Sequence, residues 1–101
     1  MKVFNLRTIK SYPYEKRDKN VFYKSKEFRA RIIELPAGGI MPTCKMASHV
    51  LFFVIKGEAE VKVNRTKSKI KEANILITEP AILSMKTNKG VKIVGIQIAK
   101  T

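Results

Sequence analysis

Three side chains able to serve as nucleophile, metal ligand or acid–base group fall within one short stretch, Cys44-Lys45-Met46-Ala47-Ser48-His49, and Cys44 and His49 are the chain's only cysteine and histidine. A thiolate is a nucleophile and a soft ligand, a thioether is a soft ligand only, and an imidazole titrates near neutrality. These residues do not assemble into familiar catalytic machinery. A lone histidine without an acidic partner is a weak catalyst. Ser48, Ser68 and Ser84 have no His and Asp in a recognisable frame. Glu34, Glu58, Glu60, Glu72 and Glu79 fall mostly at outward or turn positions, and no glycine-rich phosphate loop is present.

The elements that must position this stretch lie in residues 36–58. A turn at Pro36-Ala37-Gly38-Gly39 opens the segment, the run Val50 to Ile55 fills it, and Gly57 closes it. Val50 to Ile55 is apolar at every position, so both faces of this strand should be covered. Successive strand residues point to opposite faces, so His49, Leu51 and Phe53 should face away from Val50 and Phe52. Left exposed, Leu51, Phe53 and Ile55 would form a dimerisation surface.

The following hairpin can be read pair by pair. A two-residue turn at Asn64-Arg65 sets Val63 against Thr66, Val61 against Ser68 and Ala59 against Ile70 on one face. The other face then pairs Lys62 with Lys67, Glu60 with Lys69 and Glu58 with Lys71. The row Arg65, Lys67, Lys69, Lys71 looks like a phosphate comb, but this register makes it the partner of an acidic strand. Upstream, Lys10 to Asn20 reads as an extended loop interrupted by Pro13, Val21 to Tyr23 as a short strand, and Phe28 to Leu35 as a longer one. In that strand Phe28, Ala30 and Ile32 share one face and Arg29, Arg31 and Ile33 the other. Ile75 to Thr78, Ala81 to Met85 and Val91 to Ile98 complete the strands, while Phe4 to Ile9 suits one short turn. No helical period persists for three turns. The chain reads as all-β, about eight to ten short strands at the spacing of a sandwich or closed barrel.

At 101 residues this suits one domain, 1–101, with residues 1–35 supplying N-terminal strands and a loop. A single cysteine permits no internal disulfide, and no window is apolar enough for a membrane span or a signal peptide, so a cytoplasmic protein is expected. The net charge of +13 raises the question of nucleic acid. Its distribution points elsewhere: residues 1–35 carry ten basic and four acidic side chains and residues 65–101 carry eight and two, around a nearly neutral centre. Lysine outnumbers arginine sixteen to five, although arginine reads bases better. A solvated lysine-rich surface explains the charge.

The frame at residues 36–57 resembles the first sequence motif of the cupin superfamily, with its spacing met by Gly38, Cys44, Met46, Val50 and Gly57. The second motif is similar to residues 74–89, through Asn74, Pro80, Ile82, Met85 and Lys89, with Asn88 one position from the family's last residue. The resemblance implies an all-β, cupin-type jelly-roll β-barrel of two antiparallel sheets. In metal-binding cupins two His, a Glu and a third His converge on a divalent metal. This chain places Cys44, Met46, Val50 and Met85 there, and Val50 has no lone pair to offer. No standard metal site, and none of the activities that depend on one, is therefore implied. The replaced positions admit two readings. Cys44, Met46 and Met85 form a soft donor set suited to Cu(I), or they are apolar fillers of the space a metal has left.

The expectation is a non-catalytic, small-ligand-binding or regulatory module rather than an enzyme. Its apolar barrel pocket would be lined by Cys44, Met46, Val50, Phe52, Leu83 and Met85 and hold a small organic ligand, without a cofactor. Self-association as a homodimer is expected. An enzyme or metal-binding centre at Cys44, and a basic nucleic-acid-associated protein, are the alternatives.

Overall fold

A computed structural model describes residues 1–98. Within them eight strands form two antiparallel sheets: β1 Val21–Lys24, β2 Phe28–Leu35, β3 Ile40–Met46, β4 His49–Val63, β5 Thr66–Lys71, β6 Ile75–Thr78, β7 Ala81–Lys86 and β8 Val91–Ile98. One sheet runs β1-β2-β8-β4-β6 and the other β3-β7-β4-β5, so the long strand β4 belongs to both. The two sheets curl against each other as the halves of a jelly-roll barrel.

The physical basis of this sharing lies in the middle of β4. Its buried residues are Val50, Phe52 and Val54 before residue 55, and Ala59 and Val61 after it. The parity of the inward face changes there, because a register irregularity between Val54 and Lys56 inserts an extra residue opposite β8. Gly57, at φ 84°, supplies the left-handed backbone that lets the strand pass from one sheet to the next. Thr87 stitches this crossing to the β7–β8 connection. Its hydroxyl donates to the Glu58 carbonyl at 2.6 Å and accepts from the Gly90 N–H at 2.9 Å, and the side chain is buried. Thr87→Val keeps the shape but leaves two backbone groups unpaired. It should lower unfolding free energy by about 1–3 kcal/mol, measured as a shifted urea midpoint with unchanged slope.

The core between the sheets contains Ile33, Leu35, Met41, Val50, Phe52, Val54, Val61, Leu83, Met85 and Ile93, with Val54, Val61 and Ile93 wholly buried. The β4–β5 hairpin has all six of the expected pairs, from Val63 with Thr66 to Glu58 with Lys71. Its ionic consequence differs from expectation. The one ion pair among the described residues joins Glu60 to Lys86 of β7 at 3.6 Å, not to Lys69 of β5. Glu60 lies between both lysines in the sheet, and this exposed pair contributes at most about 1 kcal/mol.

Two elements depart from the sequence reading. Ile40–Met46 is a strand, β3, at the sheet edge beside β7, where Pro42 is tolerated. The stretch expected to be an extended loop contains a 3-10 helix over Tyr14–Asn20. Pro13 starts it, with its carbonyl accepting from the Lys16 N–H at 2.8 Å. So short a helix needs no long apolar period, which is why periodicity did not disclose it. Phe4 to Ile9 does contain a turn, with the Ile9 N–H bonded to the Asn5 carbonyl.

Covering of the outer face of β4 is partial. The N-terminal segment shields the outer face of β2 and β8 through Phe4, which meets Phe22 edge to face at 4.8 Å. Beyond it Phe53, Ile75 and Ile77 remain 38%, 54% and 67% exposed, so within one chain this side of the strand stays partly open.

Candidate ligand-binding site

A cavity of about 240 Å³ opens at the end of the barrel where β2 begins and β8 ends. One wall is apolar and sulfur-rich: Met41, Cys44 and Met46 from β3, Val50 and Phe52 from β4, and Leu83 from β7. Five of the six residues expected to form a pocket therefore line one space. Met85 is the exception. An extra residue between Met41 and Cys44 sets Cys44 opposite Leu83 and moves Met85 opposite Met41, where it is buried in the core. Cys44 and Met46 are in contact, with Sγ 3.3 Å from Sδ, and the Gln97 amide points at the same Sδ from 3.7 Å.

The residues present do not fit the divalent metal of metal-binding cupins. Val50, which the motif resemblance aligns with the carboxylate ligand, is buried and has no donor atom, and thioethers are poor partners for hard or borderline ions. No group of three or more His, Cys, Asp or Glu among the described residues is arranged to hold a metal. His49 is exposed and lies outside the cavity, next to Val50, which lines it.

The rest of the lining corrects the picture of a uniformly apolar pocket. Arg29 and Arg31, on the inward face of β2 with Ile33, line it together with Arg17, Asp18 and Tyr14 of the 3-10 helix. Gly95 faces Arg31 across the β2–β8 ladder, and Gln97 faces Arg29. Lacking a side chain, Gly95 leaves space for Phe52, whose ring carbon would lie only 3.2 Å from an added Cβ. Arg31 Nε is buried and has no hydrogen-bond partner among the described residues. Burial, reinforced by the adjacent Arg29 guanidinium, lowers the Arg31 pKa below the ordinary arginine value.

The helix that carries Arg17 is fixed by Asn20. This buried amide accepts from the Tyr12 N–H at 2.7 Å and donates to the Tyr12 carbonyl at 2.9 Å, closing residues 12–20 into a cap beside the cavity. Arg17 lies over the Tyr14 ring at 5.0 Å. Sequence reasoning missed this wall because Arg17 belonged to an apparent loop, while Arg29 and Arg31 resembled a solvated strand face. The available signal was Ile33, an apolar residue on the same face as both arginines.

A larger, open trough of about 1010 Å³ lies at the opposite end of the barrel, around Pro36, Gly57 and Gly90. It is lined by charges of both signs, including Lys56, Lys71, Glu34 and Glu58, and is more open than the smaller cavity. Among the described residues no helix is long and apolar enough to cross a membrane.

No protein-family model and no curated protein matches the sequence. Solved structures do match. The TT1209 protein of Thermus thermophilus aligns over 99% of this chain and 100% of its own, with a TM-score of 0.80 at 15% identity. The cupin domain of Schizosaccharomyces pombe Cnp3 aligns with a TM-score of 0.71 at 24% identity, over 79% of this chain and 61% of that one. A cupin superfamily protein from Desulfitobacterium hafniense DCB-2 aligns with a TM-score of 0.74 at 14% identity, over 79% of this chain and 74% of that one. The chain is thus a small domain with the cupin fold. At these identities the likeness defines architecture, and the fold alone carries no activity.

Proposed function

We propose that the protein is a non-catalytic binding or regulatory module that holds a small organic ligand in its barrel cavity. The observation that supports this is a cavity whose lining includes the apolar set Cys44, Met46, Val50, Phe52 and Leu83. A cavity of about 240 Å³ suits a molecule smaller than a typical drug. Ligand that binds only the folded state raises stability by about 2.7 kcal/mol at one hundred times its Kd. A thermal-melt panel of small organic acids, amides and amines should therefore contain compounds that raise Tm in the wild type. Cys44→Phe, which fills the cavity from its half-buried edge, should remove the effect. A panel in which nothing raises Tm, or in which Cys44→Phe responds equally, overturns the reading.

A soft-metal centre is the second reading, favoured by the Cys44–Met46 contact. It ranks lower because Met85, the third sulfur, sits opposite Met41 and away from the cavity. Stoichiometric Cu(I) binding that is lost in Cys44→Ala would raise it above the first.

The proposal includes self-association as a homodimer. Leu51 pairs with Ile77 and Phe53 with Ile75 across β4 and β6, placing four apolar side chains together on the outer face. In a chain of net charge +13 such a patch is best covered by an equally apolar surface, and a second copy supplies one through two-fold symmetry. Light scattering should give a dimer for the wild type and a monomer for Ile77→Lys. A monomeric wild type contradicts this.

A further inference from the structure

We propose that the ligand is a small organic carboxylate, its anionic group held by the arginine wall and its compact apolar body by the sulfur-rich wall; this rests on the ligand-binding reading above. The basic residues are placed selectively. The chain has sixteen lysines and five arginines, yet among the described residues the cavity is lined by three arginines and no lysine. A planar guanidinium presents paired donors that match a carboxylate, whereas an ammonium is a strongly hydrated point charge suited to open surface.

These arginines are compensated only in part: the Asp18 carboxylate favours the charged Arg31 but does not reach ion-pair distance. Among the described residues Asp18 is the only carboxylate on the cavity, and none of the three guanidinium groups is in an ion pair. Arg17 is occupied by Tyr14, through its ring and through a 3.4 Å bond to the Tyr14 carbonyl. Arg29 and Arg31 have no such partner there, and Arg31 keeps a buried Nε–H unbonded. An unpaired buried donor beside a like charge is unfavourable, and a bound anion relieves both penalties at once.

The apolar part of the lining sets the character of the rest of the ligand. Val50, Phe52 and Leu83 are almost wholly buried, and this part carries no charged group to receive a second charge; the Gln97 amide is directed at Met46 Sδ. An amphipathic monoanion matches this arrangement, with its carboxylate toward β2 and its carbon skeleton toward β3 and β4.

Calorimetric titration with benzoate and hexanoate, against the isosteric benzamide and hexanamide, tests the proposal. The carboxylates should bind roughly ten-fold or more tightly than the amides. Arg31→Met should remove that preference. It should also raise the Tm of the unliganded protein, whereas an arginine with only a structural role would lower it on replacement. Arg29→Met, on the same face of β2, provides a second variant should the first fold poorly. Amides that bind as well as carboxylates would overturn the anion assignment and leave the cavity reading standing. Inorganic phosphate binding as tightly as benzoate would overturn the need for an apolar body. If none of the four compounds binds, both the assignment and the cavity reading fail.

Discussion

Gly57→Ala should cost about 3–5 kcal/mol of unfolding free energy, more than the same change at any other glycine of this chain. Two effects combine. Gly57 has φ 84°, a conformation that costs a residue bearing Cβ about 1–3 kcal/mol. An added Cβ would also lie 2.2 Å from the Gly90 carbonyl oxygen and 3.0 Å from Val91 Cα. These are backbone atoms, and Gly90 O accepts the Glu58 N–H, so the obstruction cannot swing aside. Gly38 provides the control. It has φ 78° but nothing within 4 Å of an added Cβ, so Gly38→Ala carries the backbone strain alone, about 1 kcal/mol. For a domain of this size the difference should appear as a Tm lower by roughly 10 °C or more for Gly57→Ala than for Gly38→Ala. Equal melting points would mean that the crossing at Gly57 is looser than described.

Phe52→Ala should cost about 3–5 kcal/mol, the usual range for removing a buried aromatic ring. The ring is 4% exposed, pairs across the sheet with Gly95 and Leu76, and forms part of the cavity wall. Its closeness to Gly95 makes a sharper prediction. Gly95→Ala alone places Cβ 3.2 Å from the Phe52 ring and should destabilise, although Gly95 lies in a strand where alanine is otherwise the better residue. In the Phe52→Ala background the obstruction is gone and Gly95→Ala should stabilise. The two changes should therefore be non-additive by about 0.5–3 kcal/mol in chemical denaturation. Simple additivity would mean that ring and glycine do not determine each other.

Much of the architecture was legible because several local signals agreed. Asn64 takes the positive φ that a tight hairpin demands, here 55°, and its side chain also accepts the Ile82 N–H. Together with the alternating charges of Glu58, Glu60, Lys69 and Lys71, this fixed the register of six pairs. Val50 to Ile55 announced a central strand by composition alone. The change of face inside β4 was less visible, because a one-residue bulge leaves no mark beyond Gly57. The similar bulge between Met41 and Cys44 is why the places of Cys44, Met46 and Met85 in the cupin-like motifs did not bring all three sulfurs to one place. The arginine wall was hidden for another reason: it joins a β2 face to a 3-10 helix through Asn20 and Tyr12, a contact no periodicity encodes.

Methionine methyl groups can report directly where a probe binds. Met41 and Met46 line the cavity, Met85 is buried outside it, and Met1 is exposed at the surface. In a methyl NMR titration of methionine-labelled protein with benzoate, the Met46 signal, and to a smaller extent that of Met41, should move and saturate together. Those of Met1 and Met85 should stay in place. Movement confined to Met1 or Met85, or four signals unmoved at saturating benzoate, would contradict a ligand site in the barrel cavity.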